Sequence, residues 1–98
     1  MARIWPQVLR AMREAGDGPV EVEFEIKLLK LEPTDRVWRT AQRLVARVQR
    51  ATGTEPLRVR VLREQPRFVV TAPRAWVREM MKQPEIEAAL PKRRRAAA

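Results

Sequence analysis

From Val20 the chain alternates without a break. Val20, Val22, Phe24, Ile26 and Leu28 stand against Glu21, Glu23, Glu25 and Lys27. Period two marks a strand with one apolar and one polar face, and the pattern predicts a strand over 20–31. Glutamate is a poor strand former, so packing of the apolar face must hold it. The acidic face is expected to be wet, in an antiparallel sheet or one covered on a single side.

Elsewhere the period is helical. Ile4, Val8, Met12 and Ala15, widened by Trp5 and Leu9, predict a helix over 3–15, with Pro6 in its first turn and Gly16-Asp17-Gly18-Pro19 ending it. Pro33 and Asp35 open a second helix over 34–52, which stops at Gly53. Residues 57–63 and 67–71 read as two short strands joined as a hairpin through Glu64-Gln65-Pro66. Ala72-Pro73 opens a third helix through Gln83; Pro84 breaks it, and Glu85–Leu90 predict one further helical turn.

The order is therefore α-β-α-β-β-α, an α+β two-layer sandwich with a small mixed or antiparallel three-stranded sheet packed by helices. It resembles part of the ferredoxin-like or KH-type folds, a likeness that assigns no function. Residues 1–91 are expected to form one compact domain and 92–98 a basic, disordered tail. The stretch Thr71-Ala72-Pro73-Arg74-Ala75-Trp76-Val77-Arg78-Glu79-Met80 resembles the strand-to-helix segment of bacterial DciA-type replicative-helicase loaders, which carry Pro-x-Trp or Pro-Ala-Trp followed by Glu-Leu. Here one more residue separates Pro from Trp. The resemblance covers residues 71–80 and brings no function to this chain.

Composition narrows the chemistry. The 98 residues contain no His, Cys, Ser, Tyr or Asn. Ser/His and Cys/His nucleophile pairs, thiol chemistry and the usual zinc ligands are absent with them. Gly16, Gly18 and Gly53 are the only glycines, so no phosphate-binding glycine loop exists. Glu21, Glu23 and Glu25 lie parallel on one strand face, and metal-dependent hydrolysis needs carboxylates that converge. The expectation is a protein without catalytic residues, metal or cofactor. No apolar run approaches a membrane span and no signal peptide opens the chain, so a cytoplasmic protein is expected. Absence of Asn and Cys with eight prolines fits a thermophile, although a GC-rich genome gives the same excess of Arg, Ala and Pro.

The formal charge is +9, and it is unevenly spread. Residues 34–53 carry +4, the tail 92–98 another +4, and residues 19–33 carry −2. On the helix 34–52, Val37, Ala41, Leu44, Val45 and Val48 share one face, with Trp38 at its margin. Arg36, Arg39, Arg43, Arg47 and Arg50 fall within about 80° on a roughly opposite face. Like charges at these spacings repel by about 0.2–0.5 kcal/mol per pair, so the row is kept basic against helix stability. Arg forks suit phosphate. These arginines, with Lys92, Arg93, Arg94 and Arg95 of the tail, are the candidate nucleic-acid contacts.

The alternative is a small regulator, adaptor or phage-type assembly protein whose basic helix binds an acidic protein partner, with strand 20–31 as an edge for a homodimer. Arg58 and Arg60 are expected opposite Glu21, Glu23 and Glu25 as cross-strand pairs. Arg74, Arg78 and Lys82 form a second basic line on the third helix. The five aromatics sit at apolar-periodic positions, with Trp38 and Trp76 expected partly exposed.

Overall fold

The structure, a computed structural model, describes residues 3–27, 37–62 and 65–91. In chain order the elements are β1 (Arg3–Ile4), α1 (Pro6–Ala15), β2 (Pro19–Ile26), α2 (Val37–Thr52), β3 (Arg58–Leu62), β4 (Arg67–Pro73), α3 (Arg74–Met81) and β5 (Ile86–Pro91). The class is α+β, but the sheet has five strands, in the order β1-β5-β2-β4-β3. All pairs are antiparallel except β1 with β5. The predicted tail and Arg36 lie outside the described residues.

From β2 onward the path is β-α-β-β-α-β. Helix α2 connects β2 to β3, and both run antiparallel to β4, which lies between them. Helix α3 connects β4 to β5, and both run antiparallel to β2, which again lies between them. This doubly split β-α-β path is the ferredoxin-like arrangement. The unit β1–α1 is added at the β5 edge.

The two strands that sequence periodicity misses have different origins. In β5, Ile86, Ala88, Ala89 and Leu90 are all buried, so no alternation exists to be read. The register with β2 also slips: Glu25 faces Ala88 while Ile26 faces Ile86. This bulge turns Ile86 into the helix-side core and leaves Ala88 on the other face. Pairing with a central strand overrides the helix preference of Glu, Ala and Leu. Strand β1 takes two residues from the predicted first helix. Pro6 biases the preceding residue away from helical geometry, and Trp5 is extended (φ −72°, ψ 136°), its N–H donating to the Ala89 carbonyl at 3.1 Å. The α1 stripe is consequently Val8 and Met12 with Ala11 and Ala15, while Ile4, Trp5 and Leu9 remain exposed.

One core fills the space between the sheet and the three helices. Val20, Val22, Phe24 and Ile26 of β2 meet Phe68, Val70 and Ala72 of β4 beneath Val8, Leu44, Val48, Trp76, Val77 and Met80. Phe24 and Phe68 stack tilted at its centre, with ring centroids 5.5 Å apart. Trp76 is wholly buried, contrary to expectation; among the buried side-chain polar atoms of the described residues, its indole N–H alone finds no partner. Helices α1 and α2 end at Gly16 (φ 58°) and Gly53 (φ 68°), in the left-handed region that glycine enters without strain.

The opposite sheet face is not the wet acidic ridge that alternation predicts. Strand β2 lies in the middle of the sheet, and Glu23 is only 5% exposed. Its neighbours across the ladders are Val69 and Leu90, both buried. The expected pairing with Arg58 and Arg60 does not occur, because β4 separates β3 from β2. Arg67 of β4 takes that role. Its Nη1 lies 3.3 Å from Glu23 Oε2, and its Nη2 and Nε lie 2.8 and 3.0 Å from Glu25 Oε2. The Thr71 hydroxyl donates to Glu21 at 3.4 Å. A central β2 also offers no edge to a second copy; the sheet edges are β1 and β3.

Arg67→Met removes the cation and leaves Glu23 enclosed. The expected loss is about 2–4 kcal/mol in urea unfolding, between a neutral buried hydrogen bond and a fully buried pair. Adding Glu23→Val should restore most of it. A loss below about 1 kcal/mol for the single variant would show that the ion group is incidental.

Candidate nucleic-acid interface

Four of the nine predicted contact residues, Arg39, Arg43, Arg47 and Arg50, are described, and all four are exposed along α2. The helix presents Ala41, Leu44 and Val48 to the core, with Thr40 buried beside them. Its apolar stripe thus holds the arginine row outward. From Arg39 to Arg50 the row is about 17 Å long at 1.5 Å per residue.

The four arginines are not equivalent. Arg47 reaches the segment between α3 and β5, where its Nη1 donates to Glu85 Oε1 at 2.8 Å and to Gln83 Oε1 at 3.1 Å. Gln83 is itself held, its amide donating to the Glu79 carbonyl at 3.2 Å. The hydrogen bond to the Glu85 carboxylate raises the Arg47 pKa above its ordinary value, against a smaller opposing effect of burial. Arg47 therefore ties α2 to the start of β5. Arg43 donates to the Thr40 hydroxyl at 3.4 Å. The Arg39 guanidinium lies 5.8 Å from the Trp38 ring centroid, within cation–π range. Trp38 is 46% exposed, as its marginal place on the stripe predicts. Arg50 lines a shallow depression with Ala46, Gln49 and Gly53.

The third helix divides the second basic line. Lys82 lies 3.8 Å from Glu79, whereas Arg74 and Arg78 turn toward α1 and join Arg13 around a groove. Periodicity within one helix gave no signal for this grouping, since it needs two helices to be placed side by side.

The helix layer thus exposes Arg10, Arg13, Arg39, Arg43, Arg47, Arg50, Arg78 and Lys82, with Arg74 half-buried; Glu14 and Glu79 are the acids on its helices. The sheet face alternates sign: Glu21, Glu23 and Glu25 lie among Arg67 and the rim residues Arg58, Arg60 and Arg3. Its central strands present no aromatic on that face, so the stacking platform of sheet-type single-strand binders is missing there. Glu23 and Glu25 are engaged by Arg67, and no group of three or more metal-ligating side chains occurs among the described residues. No described helix is long and apolar enough to cross a membrane.

No protein-family model matches this chain, and no curated protein or solved structure matches it.

Glu85→Gln should cost less than about 1 kcal/mol in urea unfolding, because the ion pair is partly exposed, with Arg47 at 47% and Glu85 at 19%. A much larger loss would make the contact a structural pin for β5 rather than a surface tie.

Proposed function

We propose that this protein binds nucleic acid through the outward face of α2, without chemistry on it. The observation that carries this reading is the exposed row Arg39, Arg43 and Arg50, in a molecule whose strand carboxylates are largely spent inside its own sheet. Arginine forks spaced by one and two helical turns suit phosphates along a strand, and such contacts position a protein without reading bases. The helix layer brings the attraction; on the sheet face Arg67 is spent on Glu23 and Glu25, and further arginines stand only at its rim. Arg36 and the tail Lys92, Arg93, Arg94 and Arg95, outside the described residues, would assist binding.

Binding of this kind releases counterions. Log affinity for duplex DNA should fall linearly with log salt, and removing one arginine–phosphate pair should make the slope shallower by about 0.9. Arg39→Ala, Arg43→Ala and Arg50→Ala should each weaken binding to unrelated sequences alike. Glu85→Gln, which releases Arg47 into the row, should strengthen it. Fluorescence anisotropy with labelled duplex and single strands, titrated in salt, reads all four variants. The reading fails if affinity is insensitive to salt, or if Arg58→Glu with Arg60→Glu on the sheet rim is as damaging as Arg39→Glu with Arg43→Glu on α2.

A further inference from the structure

The groove between α1 and α3 has a composition that phosphate binding does not require. Its lining is Leu9, Met12 and Arg13 from α1 and Arg74, Arg78 and Met81 from α3, around a cavity of about 350 Å³. Three side chains are apolar and three are cationic; none is acidic. Among the described residues the guanidinium groups of Arg13, Arg74 and Arg78 make no ion pair or side-chain hydrogen bond. Leu9 is 45% exposed, and Trp5, one helical turn before it, is exposed to the same degree. Leu9 and Trp5 thus leave apolar surface open beside three arginines, above a floor formed by the buried Met12 and Met81.

We infer that this groove docks an acidic amphipathic helix of a protein partner. The chemistry of the lining selects the occupant. A nucleic-acid backbone would use the arginines and leave Leu9 uncovered. A helix with one apolar stripe flanked by Glu or Asp satisfies both halves: its apolar side chains cover Leu9 above the floor of Met12 and Met81, and its carboxylates meet Arg13, Arg74 and Arg78. Methionine adapts its shape to such a side chain, and Arg, Met and aromatic residues are the types enriched where proteins meet. Seating an apolar helix face between two helices is an established recognition mode. The proposal is separate from the α2 row: α3 packs against α2, but Arg74, Arg78 and Met81 face α1.

The test uses the full chain and a labelled designed peptide with a leucine stripe flanked by glutamates. A second peptide has the same composition in scrambled order, with no stripe. Anisotropy should show the scrambled peptide binding at least about tenfold more weakly. Leu9→Gln, at an exposed position that leaves the fold intact, should weaken the ordered peptide about tenfold, and Arg74→Glu with Arg78→Glu at least as much. Leu9→Gln should leave duplex DNA binding unchanged. Methyl NMR should place the ordered peptide on Leu9, Met12 and Met81. The inference is overturned if both peptides bind alike, if neither binds, or if Leu9→Gln has no effect. It is equally overturned if duplex DNA or phosphatidylglycerol vesicles, rather than the peptide, shift the methyl signals of Leu9 and Met12.

Discussion

The fold turns on neutralising one acidic strand. Strand β2 carries a glutamate at every second position and also occupies the centre of the sheet, with β4 on one side and β5 on the other. A buried carboxylate is costly without a cation and hydrogen bonds. Arg67 supplies both, for Glu25 from directly across the β2–β4 ladder and for Glu23 diagonally. This requirement ties the register of β4 to β2: a slip of one residue would place Phe68, not Arg67, on the glutamate face and move the apolar set out of the core. The Phe24–Phe68 contact on the other face depends on the same register. Ion group and aromatic pair thus fix one alignment from two sides of the sheet.

That internal neutralisation shapes the surface. Carboxylates of β2 are consumed within the sheet, so the cations of the helices find few partners there. Arg47 finds its partner elsewhere, in Glu85 where the chain leaves α3 for β5. The remaining arginines fall into two groups of different character. The α2 row is purely cationic and follows one helix, whereas the α1–α3 groove mixes cations with exposed apolar surface. A charged row suits a regular polyanion, and a mixed groove suits a partner with an apolar side of its own.

Much of this was legible in the chain. The unbroken alternation at Val20–Ile26 identifies β2, and the apolar positions of α2 leave its arginines only one place to go, away from the core. The hairpin of β3 and β4 follows from two short runs around Gln65-Pro66. Among the readings that failed, three show the physical reasons. Glu85–Leu90 is a strand because every apolar position in it is buried and a bulge breaks its period. Arg58 and Arg60 do not meet the glutamates because neighbours in sequence are not neighbours in a split β-α-β sheet. Trp76 is buried because α3 lies centrally, in contact with α2, β2, β4 and β5.

The sequence by itself determined the α+β class, the faces of its helices and the concentration of positive charge, because periodicity and charge are local and each residue carries its own. Only the tertiary structure decided which cations remained available. Sheet order assigned Arg67 to the glutamates, the α3–β5 junction assigned Glu85 to Arg47, and the apposition of α1 and α3 gathered Arg13, Arg74 and Arg78. Each of these depends on which elements become neighbours. That choice is made by burying one shared core, and no single segment of the chain records it.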